Sequence, residues 1–407
     1  MYTNLAIVTA FAFLYSAFAK GIERTWVGGP IVFTLFGVLL GPLGAGILTL
    51  DVTNETLRAL AEMTLALVLF NDAASADLGV LRSNLRIPER MLAIGLPLII
   101  LLGFAVGMLL FDELDLYEVA ILATILAATD AALGKPVITN RRVPARIREG
   151  LNMESGLNDG ICVPILFIFI ALAVSASGEA GGISDALHLV TEEIGIGLAV
   201  GLVLAVLGGW MLRLSAEHDW LSETWMQVTV IALAIASFAA AQSIGGSGFI
   251  AAFSGGLLFG KITRQHKKVL LRASEGTGDA FALLTWVVFG SAIIGKVIGY
   301  ISWPILLYSV LSLTLIRMLP IFLSLAGTSE STKSKLFMGW FGPRGLASIV
   351  FTIIVMNENL PGGETLAIVV VCTVCLSIIA HGITATPLSE AIGKRVSRQK
   401  NLSSSEH

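Results

Sequence analysis

Six ionisable side chains lie in stretches of the sequence that are otherwise apolar and long enough to cross a lipid bilayer. They are Asp72, Asp130, Glu154, Asp159, Arg317 and Arg344. A charged side chain at the centre of a bilayer costs about 2.5–3.5 kcal/mol on insertion scales, so such a residue is by default part of a functional site. We therefore expect most of these groups to face the protein interior or a water-filled cavity.

The segment from Glu154 to Gly160 predicts a cation site. At 100° per residue, a helix stacks Ser155 with Asp159 and Glu154 with Asn158, which gives two adjacent polar ridges. Ser155 and Asp159 offer a hydroxyl and a carboxylate, hard oxygen ligands of the kind that a desolvated alkali cation needs. A rise of 1.5 Å per residue puts Asp159 about 15 Å into its span, close to the bilayer midplane. The ridge of Glu154 and Asn158 is available for an arginine to anchor.

Two further stretches predict interruptions of a spanning helix. Thr129 and Asp130 form a polar pair deep in an apolar segment, and the sequence Gly-Pro-Arg-Gly at 342–345 combines a proline with permissive glycines. Irregular backbone at this depth is tolerated only in a protein interior or beside a water-filled cavity. Unwound carbonyls and helix ends can then act as ligands, so both stretches are candidate parts of the same site.

These charged residues also have structural explanations. Asp130 and Asp159 could cap irregular helices, although two buried carboxylates with adjacent hydroxyls favour function. Arg317 and Glu154 could form a purely structural ion pair, because the loss of either would strand a buried charge. Arg344 could neutralise helix dipoles or line the ion path.

Residues outside the charged set give weaker signals. Asp72 lies either near the site or in an internal vestibule. Cys372 and Cys375 have the spacing of a redox or metal motif, but they lie in an apolar helix and are expected to be packing residues. His381 is the only histidine near the middle of a predicted span, and we interpret it as a packing residue.

The composition identifies the elements that must position these groups. Of 407 residues, 55% are hydrophobic and 14% are charged, against about 25% charged residues in soluble domains. Stretches of about 20 apolar residues predict an all-α polytopic membrane protein with about 13 spans. The first span, 4–20, ends like a signal-peptidase site but has no preceding Lys or Arg, so we expect a retained helix. Basic and aromatic residues do not alternate as a nucleic-acid groove requires.

Charge in the connections predicts the orientation. Lys and Arg concentrate in alternate connections, such as the one holding Arg141, Arg142, Arg146 and Arg148, whereas the acidic stretch 112–118 falls on the other side. Because cytoplasmic loops are enriched in Lys and Arg, the N-terminus is predicted outside and the C-terminus in the cytoplasm. The candidate breaks lie in the fifth span (115–137) and the twelfth (333–357). Equivalent helices seven spans apart run in opposite directions, which predicts inverted six-helix repeats.

The motifs together resemble the sodium/hydrogen exchanger family, most closely its NhaP-type prokaryotic members in the monovalent cation:proton antiporter-1 group. They are Thr129-Asp130, Glu154-Ser155-x-x-Asn158-Asp159-Gly160, the arginine at 317 in an Ile-Arg-Met-Leu-Pro sequence, and Gly-Pro-Arg-Gly at 342–345. By this resemblance, Asp159 binds either a cation or a proton, with Asp130, Ser155 and a Thr129 main-chain oxygen completing the shell. Glu154 pairs with Arg317, while Asn158 and Arg344 help to organise the site.

The resemblance further implies a homodimer with a mobile core. The expected boundaries are 90–175 and 302–390 for the core, in which the fifth and twelfth spans cross as broken helices, 1–89 and 222–300 for the dimerisation part, 187–213 for a linker helix, and 391–407 for a short basic cytoplasmic tail. Related electrogenic antiporters have Asp where this chain has Asn158. Because asparagine cannot titrate, the resemblance implies electroneutral one-for-one exchange.

The resulting hypothesis is a secondary antiporter, not an enzyme, that exchanges Na⁺ or Li⁺ for H⁺ without a cofactor. It would lie among the lipids of a prokaryotic inner membrane and serve pH homeostasis. A cation channel and an organic-anion carrier of similar architecture are the alternatives. The paired helix breaks favour a transporter over a channel, and carboxylates at the midplane disfavour an anion carrier. An intramembrane hydrolase using Ser155 lacks an evident base.

Overall fold

Regular secondary structure is helical throughout the part of the chain that the computed structural model describes, residues 2–22, 25, 27–50, 55–76, 86–176, 183–264 and 267–405. The helices are α1 (Tyr2–Ile22), α2 (Gly29–Leu40), α3 (Glu55–Ser75), α4 (Arg86–Leu110), α5 (Leu116–Ile125), α6 (Ala131–Ile138), α7 (Ala145–Ala176), α8 (Ile183–Glu217), α9 (Glu223–Ser243), α10 (Gly248–Ile262), α11 (Lys267–Val288, continued through a π-helical turn to Tyr300), α12 (Trp303–Ser324), α13 (Thr332–Trp340), α14 (Leu346–Asn357) and α15 (Gly363–Ser405). The prediction of an all-α membrane protein is confirmed.

Seven of these helices are long and apolar enough to cross a membrane: α1, α4, α7, α8, α11, α12 and α15. Shorter apolar helices, namely α2, α5, α10, α14 and much of α9, lie inside other predicted spans. The total of about 13 spans, the inverted repeat and the division into core and dimerisation parts stay predictions.

Helix α7 occupies an interior position. It contacts α3, α5, α6, α8 and α10, so its polar segment 154–160 is enclosed by other helices. Gly160 lies where α10 comes closest, because a Cβ at this position would overlap the ring of Phe253. The polar segment of α7 is therefore positioned by packing against helices on several sides.

Both predicted helix interruptions are present, and they meet. The chain leaves helical geometry between α5 and α6 and again between α13 and α14. The N–H of Asp130 in the first break donates to the carbonyl of Pro343 in the second at 2.8 Å. Ser348 of α14 donates to the carbonyl of Ile125 at the end of α5, at 3.0 Å. The two broken helices thus cross at their irregular segments, where backbone groups that would otherwise lack partners satisfy one another.

Candidate functional site

The carboxylate of Asp159 is buried, yet it makes few hydrogen bonds or ion pairs with the described residues. Only 5% of the residue's surface is exposed. Within the described residues, its hydrogen bond comes from the main-chain N–H of Thr129, which donates to Oδ1 at 3.1 Å. No described Lys or Arg forms an ion pair with it. A carboxylate in this position needs a proton or a cation to offset its burial.

Ser155 and Thr129 supply neutral oxygen atoms beside this carboxylate. The Ser155 hydroxyl donates to the main-chain carbonyl of Thr129 at 3.0 Å, and the Thr129 hydroxyl lies 3.4 Å from Ser155 Oγ. These contacts join the polar ridge of α7 to the break that follows α5. Each oxygen keeps an unused lone pair, so the predicted ligand types are brought together.

Asp130 caps two helices at once. One of its carboxylate oxygens accepts hydrogen bonds from the N–H groups of Ala132 at 2.7 Å and Leu133 at 3.1 Å, in the first turn of α6. Its other oxygen accepts from the N–H of Leu346, the first residue of α14, at 2.7 Å. Gly345 permits this approach, because a Cβ there would overlap the Asp130 carboxylate. Asp130 therefore satisfies N–H groups at two helix N-termini and complements their partial positive charge.

Arg344 has the complementary role at a helix C-terminus. Its Nη1 donates to the carbonyls of Ala127 at 3.0 Å and Ala128 at 3.2 Å, just beyond the end of α5. A guanidinium group is favourable there because the last carbonyls of a helix carry partial negative charge. The helix-dipole explanation for Arg344 therefore has direct geometric support.

Glu154 and Arg317 form a buried, bidentate ion pair. Arg317 Nη1 and Nη2 donate to the two Glu154 oxygens at 2.7 and 2.9 Å, and both side chains are almost completely enclosed. Asn158 Nδ2 also donates to Glu154 at 3.0 Å, and it lies 3.2 Å from the carbonyl of Ala127. This second ridge of α7 is thus anchored by the arginine and joined to the first break.

A cavity of about 290 Å³ reaches Asp159 between α3, α6, α7, α11 and α14. Its lining includes Asp72 of α3, both aspartates of the predicted site, and Glu275 and Asp279 of α11. Polar and acidic walls favour entry of water and cations. All nine predicted site residues consequently lie either at the helix crossing or, for Asp72, on the wall of this cavity.

Sequence reasoning missed two features of the site. The first is a hydrogen-bonded chain that holds the second break. The N–H of Arg344 donates to Ser377 Oγ at 2.7 Å, Ser377 Oγ lies 3.2 Å from His381 Nδ1, and His381 Nε2 lies 2.9 Å from the carbonyl of Trp340. The i, i+4 spacing of a serine and a histidine on one helix was the available signal. The expectation that His381 is a packing residue omits these polar contacts.

The second missed feature is an ion pair across the cavity. Lys135 Nζ of α6 lies 2.6 Å from Asp279 Oδ2 of α11, and both side chains are about half exposed. Neither residue is included in the candidate site predicted from the sequence. Nothing in the spacing of two residues this far apart in sequence could have paired them.

Comparison with known proteins identifies the family of this chain. The profile of a family described as "Sodium/hydrogen exchanger, transmembrane" matches residues 7–391. The chain is 24% identical over 357 residues to the K⁺/H⁺ antiporter NhaP2 of Shewanella sp. strain ANA-3, with 88% of this chain and 61% of that protein covered. It is 25% identical over 260 residues to a Na⁺/H⁺ antiporter of Schizosaccharomyces pombe, covering 61% and 55%. The chain thus spans about three fifths of the length of these curated relatives.

A solved structure has the same fold. The sodium proton antiporter MjNhaP1 from Methanocaldococcus jannaschii superposes with a TM-score of 0.75 at 23% identity, covering 96% of this chain and 98% of that one. This similarity concerns the fold, and the family match covers nearly the whole chain. The chain belongs to the transmembrane sodium/hydrogen exchanger family, whose members are cation/proton antiporters, and therefore secondary transporters rather than enzymes.

Proposed function

We propose that this protein exchanges Na⁺ or Li⁺ for H⁺ by competition of the two ions for the carboxylate of Asp159. The observation that carries the proposal is the contrast between three buried carboxylates. Glu154 is paired with an arginine, and Asp130 accepts hydrogen bonds from three backbone N–H groups. Asp159 accepts one hydrogen bond within the described residues and borders a cavity. Asp159 is therefore the group with capacity to bind and release an ion.

The buried charges around the crossing support one-for-one exchange. They are Asp130, Glu154, Asp159, Arg317 and Arg344. When all are ionised, their net charge is −1, so a single monovalent cation or proton brings the group to neutrality. Asn158 adds no charge. Two bound cations would leave an uncompensated positive charge in a low-dielectric interior, which is costly.

Ser155, the Thr129 main-chain oxygen and Asp130 complete the proposed cation shell. The first two lie within hydrogen-bond distance of each other, and the N–H of Thr129 contacts Asp159. Asp130 has lone pairs left after its capping bonds, and it borders the same cavity. Carboxylate, hydroxyl and carbonyl oxygens match a hard cation. We assign Asp72 to the cavity wall, where it attracts cations towards the shell.

Transport requires that the site face the two sides of the membrane alternately. We propose that residues 90–175 and 302–390 form a core that moves against a dimerisation part, residues 1–89 and 222–300, in a homodimer. A core with its site occupied and neutral crosses the apolar barrier more readily than one that is empty and charged. In the proposed inner-membrane orientation, with the N-terminus outside, the cavity at Asp159 opens towards the cytoplasm, because its lining includes Lys135 and Thr139, next to the basic connection that follows α6.

The test is proton flux in proteoliposomes driven by gradients of Na⁺, Li⁺ or K⁺, with and without a clamped membrane potential. Wild-type protein should give saturable flux with Na⁺ and Li⁺ that the potential does not change. Asp159→Asn should abolish it, while Asp112→Asn, which removes an exposed carboxylate from a connection, should keep it. Exchange by Asp159→Asn would overturn the assignment.

The same measurement separates the alternatives. Flux driven by K⁺ alone would give this chain the substrate named for the Shewanella relative. Conductive flux without coupling to protons would indicate a cation channel, and proton flux driven by an organic anion would indicate a carrier of that class. Dependence on the potential would exclude one-for-one exchange.

A further inference from the structure

A second cavity, of about 580 Å³, lies at the opposite end of α3, α11 and α14 from the cavity at Asp159. On α11, Ala282 is the last residue that lines the first cavity, and Phe289 is the first that lines the second. These two residues are about 10 Å apart along the helix. The start of α15 closes the remaining side. The volume of this second cavity is typical of a site that binds a small molecule. None of the proposed site residues borders it.

The lining of this cavity changes from apolar to polar in the same direction on three helices. The deep wall carries Phe289 of α11, Ile349 and Ile353 of α14, and Val370 and Val371 of α15. The rim carries Lys296 and Tyr300 of α11, Asn357 of α14 and Glu364 of α15. An elongated ligand with a polar head at the rim and an apolar tail inside fits this arrangement.

The charges at the rim define the head of the ligand. Arg58 of α3 and Lys296 of α11 are exposed cations, and Glu364 at the start of α15 is an exposed carboxylate. Arg58 also contacts Glu62 at 2.7 Å through Nε, a bond that does not use its terminal nitrogens. Arginine and lysine together are well suited to a phosphate group. A free phosphate ion is not the preferred ligand, because the apolar deep wall would make no favourable contact with it.

We propose that this cavity binds a phospholipid, with its phosphate at the rim near Arg58 and Lys296 and an acyl chain along the apolar wall. The cavity lies between α3 and α11 on one side and α14 and α15 on the other. If the proposed function is correct, these pairs belong to the dimerisation part and the core. A bound lipid then contacts both moving parts and slows their relative displacement, so that membrane composition sets the exchange rate.

Lipid binding can be measured without transport. Purified, delipidated full-length protein is titrated with phosphatidylglycerol, phosphatidylethanolamine or palmitate, and the bound lipid is counted by native mass spectrometry. We expect one site for either phospholipid. Ala367→Trp, which fills the cavity from α15, should lower phospholipid occupancy at least tenfold. Ile379→Trp, the same residue placed on the exposed face of α15, should not change it.

A second pair of variants tests the head group. Lys296→Gln, at an exposed position where folding is preserved, should weaken phospholipid binding by about fivefold, as expected for one cation near a phosphate. Arg213→Gln, on α8 away from the cavity, should not. Equal occupancy in Ala367→Trp and wild type would overturn the proposal, as would preferential binding of palmitate or an unchanged affinity in Lys296→Gln.

The consequence for transport is tested separately in proteoliposomes. Ala367→Trp should make the exchange rate insensitive to phospholipid composition, whereas Ile379→Trp should respond as wild type does. Failure of antiport would appear as absent flux in wild-type protein with lipid occupancy intact. Failure of the lipid site would appear as unchanged occupancy in Ala367→Trp with antiport intact, so the two failures are distinguishable.

Discussion

Removal of Arg317 is expected to destabilise the protein by about 3–5 kcal/mol, the usual cost of stranding one member of a buried ion pair. Arg317 is completely buried, and it makes two hydrogen bonds of 2.7 and 2.9 Å to Glu154. In Arg317→Ala, the Glu154 carboxylate keeps only the amide of Asn158 among its described partners. One neutral donor cannot offset a buried negative charge.

An exposed ion pair supplies the matched control. Arg142 pairs with Glu390 on the surface, where the arginine side chain is 64% exposed. Exposed pairs contribute about 0–1 kcal/mol, so Arg142→Ala should cost far less than Arg317→Ala. Both variants are to be unfolded reversibly by denaturant in detergent micelles, with the free energy of unfolding compared to that of wild type.

The double variant Glu154→Gln with Arg317→Met tests whether the lost stability comes from the stranded charge of Glu154. It removes both charges together, so most of the loss should be recovered, because a buried pair replaced by groups of similar volume is often neutral in stability. Cation affinity should change less than stability in Arg317→Ala. A structural role for Arg317 is refuted if Arg317→Ala costs no more stability than Arg142→Ala, or if this variant weakens cation binding while its stability stays intact.

Three other changes have defined outcomes. Gly345→Ala places a Cβ against the Asp130 carboxylate and should cost about 1–3 kcal/mol through the lost helix cap, with slower exchange in proteoliposomes. Asn158→Asp puts a second carboxylate where the amide now donates to Glu154 at 3.0 Å, so thermal stability should fall at alkaline pH and recover as acid protonates the pair. In the proposed mechanism, protons and Na⁺ compete for Asp159. In the pH range where this carboxyl is protonated, a decrease of one pH unit should therefore raise the apparent KM for Na⁺ about tenfold without changing the maximal rate. A fall in maximal rate alone would contradict competition.

Helix positions could be predicted from the sequence because a bilayer imposes them. The polar pair Thr129-Asp130 located the break in the fifth span, and a proline between glycine-rich neighbours located the break in the twelfth. The 100° rotation per residue was enough to separate the ridge of Ser155 and Asp159 from that of Glu154 and Asn158. Both kinds of inference use only local geometry.

Contacts between distant helices could not be predicted. The capping of α14 by Asp130 joins residues 216 apart, and the pairing of Lys135 with Asp279 joins residues 144 apart. Hydrophobic periodicity states which face of a helix is buried, but it does not state which helix covers it. The resemblance paired Glu154 with Arg317, and residue patterns alone left that pairing open.

In the proposed exchange, the different bonding of the three carboxylates lets an ion leave while the other contacts of the site stay in place. Asp130 and Arg344 bind backbone at opposite ends of the broken helices, and the Asp130 oxygens keep lone pairs for the proposed cation, so these backbone contacts persist whether or not the ion is bound. Glu154 and Arg317 brace α7 on its other ridge. In the proposed exchange Asp159 alone changes its partner, and its bond from the Thr129 N–H, the one hydrogen bond it makes within the described residues, is compatible with a bound cation or a bound proton. A core whose helix-terminal contacts persist with or without the bound ion can move as one body, as alternating access requires.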